Sequence, residues 1–313
     1  MEENNHQTHS APFKNANPVI YIFLGLIVVF FLYQIIGGLI QYAAVGEDFS
    51  STTGKLIITR VIITFAQFMF ILFPAIMLAY LQGDKVKETF RLKSPKVSVF
   101  VLSVIGIFVV QPFLQLFMYY QNKIIFSLPF GQDALKALKD LFDMLEASTL
   151  KLVTAYSTAE FIAIVIVIAV TPAICEEFLF RGFVLSNFEK VSKRTAAIFF
   201  SGLLFALFHF HPFNLIPLAV LGIYLSFTVY HSGSIFTAIV CHFINNFISA
   251  LAVFIYGKDE FISKEIPPDE IMQVVVLGIA SLFIFIGLIY LIKKFSVSNK
   301  NSEIINPINP IIE

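Results

Sequence analysis

Three short runs of the sequence set groups that can move protons inside otherwise apolar stretches. The first is Thr171-Pro-Ala-Ile-Cys-Glu-Glu-Phe-Leu-Phe-Arg-Gly182, which holds two carboxylates and a guanidinium. Glu177 and Arg181 are four positions apart, so a helix puts them on one face where they can pair. Glu176 is turned about 100° from Glu177 around the same helix. It has no partner in its own segment. The second run, Phe205-Ala-Leu-Phe-His209, ends in a histidine. The third, His242-Phe-Ile-Asn-Asn246, sets an imidazole and an amide four apart on one face. That spacing favours Asn246 over its neighbour Asn245, which is expected to point elsewhere. A carboxylate can take a proton from water, and imidazole or amide N–H groups can meet an oxyanion. Together these are the parts of a hydrolytic site.

A purely structural reading covers some of these residues. Glu177 and Arg181 could be a buried pair that holds helices together, and a lone histidine in a membrane often bonds one helix to another. Glu176 escapes that reading. An ionised group inside a span costs roughly 2.5–3.5 kcal/mol on insertion scales, and a second, unpaired carboxylate adds cost without packing. It is expected to face a polar cavity or a partner from another helix. His211 and His231 fall at the ends of apolar stretches and read as interfacial, with His211 a secondary candidate for the cavity. His6 and His9 belong to a polar tail.

The elements that must position these groups are membrane helices. Of the 313 residues, 58% are hydrophobic and 13% charged, against about 45–50% and about 25% in soluble domains. The apolar excess is gathered into runs long enough for the roughly 20 residues of a bilayer span. The expected fold is all-α, a polytopic bundle of about eight spans near 19–42, 56–81, 97–121, 158–187, 195–211, 213–230, 233–256 and 270–293. The boundary between the fifth and sixth, around His211-Pro212-Phe213, is the least marked. Residues 1–18 form a polar tail that lacks the basic start of a signal peptide, so the first span is expected to be retained. Residues 19–157 hold the first membrane helices, and 158–256 the segment with all three runs. An outer loop and last span follow at 257–295, then a polar tail at 296–313. Within the first unit, Gln132–Leu152 carries Leu135, Leu138, Leu141, Phe142 and Leu145 at helical spacing, as an amphipathic helix would.

Charge gives an orientation. Lys85, Lys87, Arg91, Lys93 and Lys96 crowd the loop near 82–97, and Lys190, Lys193 and Arg194 the loop near 188–194. The loop near 257–270 is acidic, with Asp259, Glu260, Glu265, Asp269 and Glu270 against Lys258 and Lys264. Lys and Arg collect on the cytoplasmic side, so both termini are expected there, and the active cavity is expected to open toward it. Net charge is zero, which removes the basic surface a nucleic-acid partner needs. The expected partners are the lipid bilayer and a membrane-associated peptide or protein. Cys175 and Cys241 sit in apolar runs and read as buried thiols.

The three runs together resemble the motifs of the CPBP intramembrane proteases, the CAAX protease and bacteriocin-processing family that includes the CAAX prenyl endopeptidases. Glu176–Arg181 is similar to its EExxxR motif, Phe205–His209 to FxxxH and His242–Asn246 to HxxxN, in the family's order and over about residues 160–255. The resemblance implies an intramembrane endopeptidase with Glu176 as general base and Glu177 with Arg181 as an orienting pair. It implies that His209 positions the water, while His242 and Asn246 hold the water or stabilise the oxyanion. A metal stays open on this reading. Glu176, His209 and His242 could hold Zn²⁺, although the His-Glu-x-x-His pattern is absent, and the residues suffice for water attack without a cofactor. The substrate implied is a CAAX-like or bacteriocin-related membrane peptide, and the expected location is a bacterial plasma membrane. Two non-catalytic readings use the same residues: an immunity protein that binds a peptide without cutting it, and a small transporter relaying protons through Glu176 and the histidines. Transporters tend to show repeated halves or matched broken helices, and neither is visible. Cys241 and His242 are adjacent and would diverge on a helix, which disfavours a thiol–imidazole dyad. Ser201-Gly202 lacks the surroundings of a nucleophile elbow.

Overall fold

The computed structural model describes residues 11–257 and 266–305. His6, His9 and the loop charges Lys258, Asp259, Glu260, Lys264 and Glu265 lie outside them. The described residues form helices and connecting turns, with no strand among them. Among the described residues, seven helices are long and apolar enough to cross a bilayer: α1 Pro18–Val45, α2 Thr53–Leu81, α3 Val97–Ile125, α5 Thr158–Val191, α7 Pro212–Ser232, α8 Ile235–Tyr256 and α9 Ile271–Ser296. Helix is the form these runs must take, because hydrocarbon offers no partner to an open backbone N–H or C=O. Between α3 and α5 lies α4, Gln132–Val153, where the leucine spacing predicts an amphipathic helix. Leu138, Leu141, Met144 and Leu145 are exposed along it.

The fifth expected span, near 195–211, differs from the other seven. Helix α6 runs only from Arg194 to Phe208. Fifteen residues make a helix about 22 Å long, short of the roughly 30 Å of a hydrocarbon core. The chain stops there because Phe210 turns into the left-handed region at φ 50°. Beyond it the His211 ring accepts the Asn214 N–H at 3.2 Å, and Pro212 starts the next helix. The turn therefore carries His209, the C-cap of α6, at the end of a short helix.

The bundle has two chemically different ends. At one, Phe13 N–H bonds the Leu81 carbonyl at 3.0 Å and Ile235 N–H the Arg91 carbonyl at 3.4 Å. Arg91 pairs with Glu189, Lys190 with Asp84 at 2.6 Å, and Lys96 donates to the Phe295 carbonyl. The basic loops thus gather together. At the other end, Arg60 donates to the Leu152 and Thr154 carbonyls at 2.9 and 3.0 Å, fixing the exit of α4. Gln121 donates to the Phe213 carbonyl at 2.7 Å, and the rings of Phe142 and His211 lie 4.8 Å apart.

Helices α6 and α7 cross at the closest approach that bears on the site. A Cβ on Gly202 would lie 2.6 Å from the Gly222 carbonyl carbon, and one on Gly222 2.5 Å from the Gly202 oxygen. Both obstacles are backbone, so only glycine fits, as small residues do at membrane helix crossings. Ser201 donates to the Phe180 carbonyl at 2.9 Å and accepts from Ser226 at 3.3 Å. Ser201-Gly202 is thus a packing element, in line with its poor fit to a nucleophile elbow.

Candidate active site

Helix α5 brings Glu176, Glu177 and Arg181, and its proline shapes the site. In a regular helix the N–H of residue 172 would bond the Ile168 carbonyl. Pro172 has no N–H, and the turn before it, Ile166–Val170, is π-helical. Such bulges often mark functional places. The freed Ile168 carbonyl accepts the Asn246 side-chain N–H at 3.1 Å. One missing backbone donor in α5 thereby anchors an amide of α8.

Glu177 and Arg181 pair as their spacing predicts, Nη1 to Oε1 at 2.8 Å, and both are fully buried. Arg181 also donates to the Gly222 carbonyl at 3.0 Å, and its guanidinium lies 4.4 Å from the centre of the Phe205 ring. The close α6–α7 crossing is what brings that carbonyl within reach. The pair has a third member: Glu177 Oε1 lies 2.8 Å from His242 Nδ1. A carboxylate only accepts, so Nδ1 carries the proton and the neutral ring turns an Nε2 lone pair the other way. His209 is oriented by the same logic. Its Nδ1 lies 2.7 Å from the Phe205 carbonyl, so it donates there and leaves Nε2 free.

Both free nitrogens face Glu176. Its Oε2 lies 3.8 Å from His209 Nε2 and 4.0 Å from His242 Nε2. That oxygen is buried and makes no direct hydrogen bond. The groups border a pocket of about 210 Å³, with Asn245, Asn246, Phe205 and Leu221 among its walls. All six sequence candidates thus meet. Glu176, His209, His242 and Asn246 face the pocket, while Glu177 and Arg181 lie behind His242. His211 stands apart, on the turn against Phe142. Cys241 is fully buried and absent from the pocket wall.

Two residues escape the sequence reading. Asn245 is expected on a different face from Asn246, yet both line the pocket, because residues three and four after His242 flank the same helix face. Asn245 donates to the Asn246 oxygen at 3.2 Å and accepts from Gln111 of α3 at 3.1 Å. The available signal was an amide, Gln111, inside an apolar run.

Zinc can be tested against these positions. The donor types suit it, and a histidine whose far nitrogen is held by a carboxylate or carbonyl is what metal sites use. The spacing does not suit it. Ligands 2.0–2.1 Å from a tetrahedral zinc lie roughly 3.3 Å apart, closer than the 3.8 and 4.0 Å found here. No group of three His, Cys, Asp or Glu among the described residues has metal-site geometry.

Residues 158–248 match the family model described as Rce1-like, type II CAAX prenyl endopeptidase Rce1-like. All three motifs and the whole of the pocket's charged cluster fall inside that stretch. No curated protein and no solved structure matches the chain.

Proposed function

We propose that this chain, a member of the Rce1-like family of membrane proteases, hydrolyses peptide bonds with a water activated by Glu176. The observation that carries this reading is the convergence of one carboxylate oxygen and two imidazole nitrogens on a single pocket. A water between them can donate to Glu176 Oε2 and is held by the histidines at hydrogen-bond range. As Glu176 takes the water proton, the new hydroxyl attacks the scissile carbonyl carbon and its oxygen becomes an oxyanion. His242 with its proton on Nδ1 accepts at Nε2 and so helps to hold the water. Glu177 orients the ring, as a carboxylate behind a catalytic histidine does. The donors to the oxyanion are the side-chain amides of Asn246 and Asn245. When the tetrahedral intermediate collapses, the C–N bond breaks and the proton on Glu176 passes to the leaving amine.

No step here runs through a metal. Protein stripped of metal, with elemental analysis to verify it, is expected to retain its full rate of cleavage on a pool of prenylated CAAX-type peptides and their unmodified counterparts. Loss of the rate on stripping, with recovery on adding Zn²⁺, would reject this mechanism. The family's printed description names CAAX prenyl endopeptidases, which makes a prenylated C-terminal peptide the first substrate to try.

A further inference from the structure

One polar side chain near the site takes no part in the proposed reaction. Gln111 stands on α3, ahead of the segment that carries the three motifs, between Val110 and Pro112 in an apolar run. An amide there is costly unless its groups find partners. Gln111 Nε2 donates to the Ile107 carbonyl and to Asn245 Oδ1, each at 3.1 Å. Asn245 Nδ2 donates to Asn246 Oδ1 at 3.2 Å, and Asn246 Nδ2 to the Ile168 carbonyl at 3.1 Å. Three amides thus form a chain between two backbone carbonyls, one on α3 and one on α5.

The chain can run in only one sense. An amide's oxygen and nitrogen have nearly the same shape, so their bonds decide which way each group faces. A carbonyl only accepts, and one stands at each end. Turning Gln111 over would set its oxygen against the Ile107 and Asn245 oxygens. Turning Asn246 over would set its oxygen against the Ile168 carbonyl. Asn245 lies between them and follows. Both asparagine oxygens are therefore occupied, and each side-chain NH₂ has one N–H engaged in the chain and one left over. Asn245 and Asn246 line the catalytic pocket, whereas Gln111 does not. We infer that Gln111 is a positioning residue: by donating to the Asn245 oxygen, it keeps that amide's N–H, and not its oxygen, toward the oxyanion. An oxygen in that place would repel the charge that develops there. This role rests on the peptidase reading of the pocket. An ordinary bond between membrane helices would instead tie α3 to α8 and leave the chemistry alone.

A cycle of Gln111→Met, Asn245→Ala and the double variant separates the two roles. Each is made in the whole chain and read as kcat, KM and unfolding midpoint in detergent, with the prenylated and unmodified peptides as substrates. Asn245→Ala should lower kcat by about 10²-fold, as loss of one oxyanion donor does. Gln111→Met should lower kcat by about 10-fold, a share of that figure, with KM unchanged because the contact matters only in the transition state. The double variant should be no slower than Asn245→Ala alone, since the glutamine then has no amide to set. Gln111→Leu should repeat the loss, which separates a missing donor from a packing fault. A parental kcat in both Gln111 variants overturns the inference. So does a double variant slower than Asn245→Ala by the full Gln111→Met factor, or a loss confined to KM or to the midpoint. Glu176→Gln in the same assay keeps the two readings apart. If it cuts as fast as the parent, the peptidase reading fails and this inference with it; if it is inactive while both Gln111 variants match the parent, this inference alone fails.

Discussion

Glu176→Gln should lower the cleavage rate by about 10²–10⁴-fold, the usual contribution of a positioned general base, and leave the fold intact. The amide keeps the shape of the side chain and removes only the proton acceptor. Glu176 takes no part in the buried ion pair, and its free oxygen makes no direct protein hydrogen bond, so little stability depends on it. The checks are kcat on the peptide pool and the unfolding midpoint in detergent, measured on the same preparation. A rate equal to the parent's removes Glu176 from the chemistry. A collapsed midpoint would instead return it to the structural reading that a buried ion pair satisfies.

Arg181→Ala should show the opposite balance, a loss of about 3–5 kcal/mol in stability, the cost of leaving a buried charge without its partner. Arg181 is fully buried and holds the Glu177 carboxylate and the Gly222 carbonyl together. Without it Glu177 remains in a dry interior, and the position of His242 loses its support. Activity falls with stability, because Glu177 fixes the proton on His242 Nδ1. The double variant Glu177→Gln with Arg181→Ala should cost less than the sum of the two single changes, since groups in contact are not additive. Denaturant unfolding of all three variants checks this. Additive losses would mean that the pair contributes nothing as a pair.

These two residues also mark how far the sequence carries. The membrane helices are legible because hydrocarbon forces long apolar runs into helix, and an ionised residue within one stands out. Glu176, Glu177 and Arg181 are visible for that reason, and the Glu177–Arg181 pair follows from spacing alone. What the pair serves does not. His242 is 65 positions from Glu177, and no local pattern joins them. Gln111 is 134 positions from Asn245, and its place beside that amide depends on how α3 packs against α8. The shortness of α6 is also hidden, because the apolar run continues through Phe210 and only the backbone turn there ends the helix. Asn245 was within reach: spacing by three serves as well as spacing by four.

The central claim is that this pocket splits a peptide bond with water, and isotope labelling tests it on the unaltered protein. Wild-type protein in liposomes is incubated in H₂¹⁸O with the prenylated and unmodified peptides, and the products are read by mass spectrometry. The account predicts new C-termini carrying one ¹⁸O, absent when Glu176→Gln replaces the parent. Recovery of only intact peptide, bound or moved across the membrane, would contradict it.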